Sequence, residues 1–135
     1  MDNTLKIWKY LVPVLKSSTE LQQIVPAEHI NPLSFNIEAV KFPWVIYKRD
    51  SLVPTYTKHY PGVGGWVNNI TLSITVYSDN YDEALDAANI IRDLLENYSY
   101  RSEEIKIDAL ELINTYELVE SDIFEQVLIF SVTAT

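Results

Sequence analysis

From Trp66 to Ser78 the chain alternates. Ile70, Leu72, Ile74 and Val76 are interleaved with Thr71, Ser73, Thr75 and Tyr77. A period of two predicts a strand with one aliphatic face. The period then changes. In NYDEALDAANIIRDLLENY, residues 80–98, Ala84, Ala88, Ile91, Leu95 and Tyr98 recur at spacings of three and four, which predicts an amphipathic helix. Asn80 is the expected N-cap, with Glu83 at capping-box distance and Asp82, Glu83 and Asp86 near the helix start. The turn between these elements is short, so the helix is expected to lie across the aliphatic strand face.

Elsewhere the same reading gives weaker elements. Leu5, Trp8, Leu11, Val12 and Leu15 form a helical stripe over residues 3–16, which Pro13 is expected to kink or end. A short helix follows Ser17 or Ser18. Ser17 and Glu20 have capping-box spacing, and Pro26 closes the segment. Ile30 falls in a possible short strand, and residues 33–42 read as an irregular connection. PWVIYKRD is apolar on both parities at its start, as a strand covered on two sides would be.

Residues 51–65 contain all three glycines plus Pro54 and Pro61, and read as a long flexible loop that a partner orders. Residues 105–119 read as a strand with a bulge or break near Asp108 and Ala109. Leu110, Leu112, Tyr116 and Leu118 share one parity, and Ile105, Ile107 and Ile113 the other. Glu120, Ser121 and Asp122 form a turn. The last strand, FEQVLIFSVTA, sets Phe124, Leu128, Phe130 and Val132 on one face and Val127 and Ile129 on the other. The expected fold class is α+β: one domain over residues 1–135, with an antiparallel or mixed four-stranded sheet and helices on one face.

Charge divides the chain. Residues 1–78 hold five acids against seven bases, whereas residues 79–135 hold fourteen acids against three bases, for a net −9 overall. Clustered Lys and Arg for phosphate neutralisation are missing, which disfavours broad nucleic-acid binding. The acidic half reads either as a solvated surface or as one that meets a basic partner or repels DNA. There is no cysteine, and no apolar run approaches a membrane span. The start, MDNTLKIWKYL, does not resemble a signal peptide, so a soluble intracellular or virion-type protein is expected.

Catalytic signals are weak. His29 and His59 lie apart in loops, without metal-ligand spacing. PGVGG precedes a strand, whereas a phosphate loop precedes a helix. Acid pairs occur, but nothing places one in an apolar pocket, and there is no GxSxG elbow. No enzyme, metal or cofactor is expected. The aromatics Trp44, Tyr47, Tyr56, Tyr60 and Trp66 flank the Gly-rich segment as core packing or as an interface. Candidate partner or oligomer contacts are Tyr56, His59, Tyr60, Val63, Trp66, Ile113, Val127 and Ile129. The face bearing Val127 and Ile129 is expected to be buried between subunits or covered by the N-terminal helix. Candidate acidic-surface residues are Glu103, Glu104, Asp108, Glu117 and Glu120.

The succession LKIWKYLVPVLKSSTELQQIV, PWVIYKR, a variable loop, ITLSITVYSDNYDEALDAANIIRDLLE and a closing hairpin ending in FEQVLIFSVTA resembles the tail terminator, or tail completion, proteins of long-tailed bacteriophages. The junction VYSDNYDEALDAANIIRDLL carries most of the likeness, which spans most of the chain. The resemblance implies a ring-forming structural protein, commonly a hexamer, that caps the tail tube and ends its polymerisation. It also implies contacts with other copies, the tail-tube protein and the head–tail connector protein. DNA would pass through the ring without specific binding, and an acidic lumen would let it slide. The implied location is the head–tail junction of the virion, with the host cytoplasm during assembly and no membrane. The alternatives are another connector component, such as a stopper or head-completion protein, and a small ligand-binding domain or enzyme.

Overall fold

The strand and helix of residues 66–95 form the centre of the molecule. The computed structural model describes residues 3–33, 41–56 and 66–135. The helices are α1 (Ile7–Lys16), α2 (Thr19–Gln22) and α3 (Tyr81–Leu95). The strands are β1 (Ile30–Pro32), β2 (Trp44–Tyr56), β3 (Trp66–Ser78), β4 (Tyr100–Arg101), β5 (Lys106–Ile107), β6 (Glu111–Glu120) and β7 (Ile123–Ala134).

All seven strands join one curled, mixed sheet in the order β1-β2-β3-β7-β5-β4, with β6 also paired to β7. The expectation of four strands is therefore too low. β1 is the short strand expected at Ile30, whereas β4 and β5 contain two residues each, too few for a period of two to register. The expected break near Asp108 and Ala109 is real. It divides β5 from β6, and both pair antiparallel with β7 at different places along it.

β3 lies between β2 and β7, antiparallel to both. Its Ile70, Leu72, Ile74 and Val76 are all at most 1% exposed. On the same face, β7 contributes Leu128, Phe130 and Val132, and α3 contributes Ala84, Ala87, Ala88, Ile91 and Leu95. Alanines on the buried side of α3 let its backbone approach the sheet closely. Ile7, Leu11 and Leu15 bring α1 into the same core. The N-terminal helix thus packs on the α3 side, and the expectation that it could cover the Val127 face is corrected.

Local signals explain most of the boundaries. Asn80 Oδ1 accepts from the Glu83 backbone N–H at 3.0 Å, as a cap should. The reciprocal half of the capping box is relayed: the Asn80 N–H donates to Ser78 Oγ, and that hydroxyl donates to Glu83 Oε1. Ser18, not Ser17, caps α2 by accepting from the Leu21 N–H. Pro13 does not end α1, which continues to Lys16. The buried Ile7–Leu11–Leu15 stripe favours one continuous helix, and the Pro13 carbonyl accepts from the Ser17 N–H and hydroxyl.

The long loop expected at 51–65 is also revised. Residues 51–56 continue β2, past a register shift between Arg49 and Ser51 that leaves Asp50 as a bulge. Pro54 is tolerated there, and residues 57–65 lie outside the described residues.

The β6–β7 turn holds two residues, not three. Glu120 pairs with Ile123, and Ser121 and Asp122 have φ of 51° and 64°. Two consecutive positive φ values suit Asn-Gly better than Ser-Asp. Exchanging Ser121-Asp122 for Asn-Gly is expected to raise stability by about 1 kcal/mol, measured by urea denaturation.

Candidate functional site

Among the described residues, β6 combines an open edge with exposed apolar side chains. Its inner edge pairs with β7, and among the described residues no strand pairs with its other edge. An edge of this length presents a row of free backbone donors and acceptors. From Ile113 to Glu120 every residue is exposed. That set includes Ile113 at 52%, Tyr116 at 44%, Leu118 at 51% and Val119 at 64%. Four large apolar or aromatic side chains on one edge strand are unusual for a surface that meets only water.

Register shows why they are exposed. Ile113 occupies a shift between Leu112 and Asn114, so the strand changes face there. Leu112 sits opposite Phe130 on the helix-covered side, while Tyr116 and Leu118 sit opposite Val127 and Glu125 on the other. The shared parity expected for Leu112, Tyr116 and Leu118 is thus broken by the bulge. Val119 returns to the helix side, opposite Phe124, where α3 does not cover it. An open groove of about 370 Å³ runs between α3 and the two strands, bordered by Leu85, Arg92, Thr115, Gln126 and Leu128.

The strand is also acidic. Residues 107–135 hold six acids and no base. Glu117 is fixed in place: Gln126 Nε2 donates to it at 2.7 Å and the Tyr81 hydroxyl at 2.8 Å. Those two donors, Gln126 first, hold its carboxyl below the ordinary range. The same bond raises Tyr81, and a Glu104 bond raises Tyr10 likewise. Because the Glu117 pKa is depressed in the fold, its stabilising contribution is present above the unfolded value near 4.5. It is lost as pH falls through the folded value. The raised tyrosines have the opposite sense: their contribution is present below the ordinary tyrosine value of 10.0 and is lost as pH rises through their folded values. Tyr81→Phe is expected to move the Glu117 pKa upward, read by carboxyl-carbon NMR titration. It should also narrow the difference in melting temperature between neutral and acid pH.

The other sequence-chosen residues are dispersed. Tyr56 and Trp66 pair with each other in register at one end of the β2–β3 ladder. Trp44 and Tyr47 are near the opposite end, about 30–40 Å along the strand from Tyr56. The expected aromatic cluster is therefore corrected. Trp44 stacks on His29 with centroids 4.6 Å apart, and Tyr47 packs against Trp8 at 4.9 Å. His59, Tyr60 and Val63 lie outside the described residues. Val127 and Ile129 do face away from the helices. Val127 is only 6% exposed within the single chain, with Tyr116 directly opposite it.

The acids do not form one cluster. Glu103 and Glu104 lie between β4 and β5, where Glu104 accepts from the Tyr10 hydroxyl at 2.7 Å. Asp108 accepts from Thr133 at the far end of β7. Glu117 lies further along β6, and Glu120 borders the hairpin turn. Tyr116, Leu118 and Val119 were missed as interface candidates. The signal was present in ELINTYELVE, whose apolar residues fall on both parities as an unburied edge strand allows.

Among the described residues, no group of three or more His, Cys, Asp or Glu could hold a metal ion. Among the same residues, no helix is long and apolar enough to cross a membrane.

No protein-family model matches the chain, and no curated protein does. Among solved structures, the fold matches a chain from the virion of a native gene transfer agent particle. The TM-score is 0.68, covering 90% of this chain and 88% of that one. Sequence identity is 14%, so the likeness is one of fold: a mixed α/β domain with a curled sheet, shared over nearly the full length of both chains.

Proposed function

We propose that this protein is a structural component of a phage-like virion, and that it acts as a tail terminator. In that role it caps the tail tube, stops its growth and links it to the head connector. The work is done by surfaces, without catalysis. The observation that carries the reading is the fold match, over nearly the full length of both chains, to a gene transfer agent virion chain. The resemblance of the VYSDNYDEALDAANIIRDLL junction to tail terminators supports the finer role. The exposed β6 edge, with apolar side chains on both faces, supplies an assembly surface.

In this reading the chain forms a ring with copies of itself, contacts the tube and connector proteins, and lets DNA through an acidic opening. An acidic lining would hold phosphates weakly, because such a lining offers no clustered cations to neutralise them. Cryo-electron microscopy of purified particles tests the placement. Density for this fold between tail tube and head connector is the expected result. Density elsewhere in the particle would assign it to another structural position, and absence from particles would overturn the reading.

A further inference from the structure

Two surfaces of the chain have matching character. The first is the β6 edge, with exposed Glu111 and Glu120 beside Ile113, Leu118 and Val119. The second is the N-terminal flank. Residues 4–16 hold Lys6, Lys9 and Lys16, all exposed, and no acid. Leu5 is 64% exposed on the same segment. The Arg49 guanidinium of β2 donates to the Leu5 carbonyl at 2.8 Å, adding a fourth cation there. The acid Glu104 also reaches this flank and is bonded to Tyr10.

Within one chain α1 packs on the helix-covered face of the sheet, whereas among the described residues the β6 edge lies at its rim. α1 sits against β2 through Trp8 and Tyr47. From β2 the sheet runs through β3 and β7 before β6, about 14 Å across three strand spacings. α3 intervenes in the helix layer. Its Leu85 and Arg92 border Thr115 of β6, while its Ile90 borders Ile24 beyond α2.

We infer that the acidic β6 edge of one copy docks on the lysine-bearing α1–β2 flank of the next. Charge and apolar character agree across this contact. Antiparallel pairing of two β6 edges would set Glu111 of each copy toward Glu120 of the other, and like charges so placed repel. The contact is heterologous, using different surfaces of each subunit, so it repeats from copy to copy and closes a ring when the rotation permits. The inference gives the self-assembly of the proposed function its surfaces, but its test uses the purified chain alone. Failure in solution leaves the virion placement standing, and absence from virions leaves this contact standing.

Charge exchange between two full-length variants tests it. One carries Lys9→Glu with Lys16→Glu, the other Glu111→Lys with Glu120→Lys, and melting curves establish that each folds. Sedimentation velocity is run at about 0.05 M salt, where the screening length still spans the contact. Wild-type chain should associate, and roughly tenfold more salt should weaken that association at least about tenfold. Each variant alone should associate far more weakly than wild type, since the first cancels the charge of the flank and the second leaves both surfaces basic. Their equimolar mixture should associate again. A wild-type chain that stays monomeric would overturn the inference. So would association of either variant alone at wild-type strength, or a mixture that stays monomeric.

Discussion

Ile74→Asp is expected to abolish the folded state. Ile74 lies on β3, with Tyr47 and Leu128 in register on either side and no exposed surface. A carboxylate at this site has neither water nor a cationic partner. The cost of burying it is several kcal/mol even after relaxation, on top of the lost aliphatic packing. A domain of this size has about 5–15 kcal/mol in total, so one substitution consumes most or all of it. Far-UV circular dichroism should show no cooperative melt. Ile74→Val, which removes one methylene, is expected to cost only about 1 kcal/mol and to retain a sharp transition. If Ile74→Asp melted cooperatively near the wild-type temperature, the central position of β3 in the core would be wrong.

Leu118→Ser with Val119→Ser should do the reverse, sparing the fold and weakening assembly. Both side chains are more than half exposed in the single chain, so neither contributes much to its stability. A change within about 0.5 kcal/mol is expected, as for other surface positions. If a partner buries the exposed parts of both, their loss removes about 2 kcal/mol of apolar burial from the contact. That corresponds to roughly thirtyfold weaker association at 1.4 kcal/mol per factor of ten. Paired measurements of melting and sedimentation separate the two effects. Unchanged association in a folded double variant would remove β6 from the assembly surface. Because Leu118 and Val119 face opposite sides of the sheet, the single substitutions would also show which face the partner covers.

These two experiments probe parts of the chain that differ in how far their roles could be read locally. The Ile70–Val76 alternation and the Ala84–Leu95 stripe are strong periodic signals, and each buries the face its pattern assigns. Hydrophobic burial is the dominant favourable term in folding, so a clean period in apolar positions carries a structural decision with it. β4 and β5 left no such trace, because a pair of residues cannot show a period, and β1 is signalled only by Ile30 between Pro26 and Pro32. The bulge at Ile113 was equally hidden: one unpaired residue reverses the faces of everything after it while leaving composition unchanged. For the candidate site, Ile113, Glu117 and Glu120 were identified as residues of interest, but not as parts of a single unpaired edge.

By itself, the sequence determined that residues 66–95 make a strand and a helix sharing one core. It determined that the closing strands form a hairpin, and that negative charge accumulates after Tyr77. These properties depend on neighbours a few positions apart, where periodicity, capping and charge act directly. Only the tertiary structure decided that β5 and β6 share β7, that α1 joins α3 on one face, and that β6 has a free edge among the described residues. Those outcomes depend on which distant segments compete for the same hydrogen-bonding edge and the same apolar face. Residue spacing along the chain does not encode that competition. The assembly surface proposed here is what remains after it has been resolved.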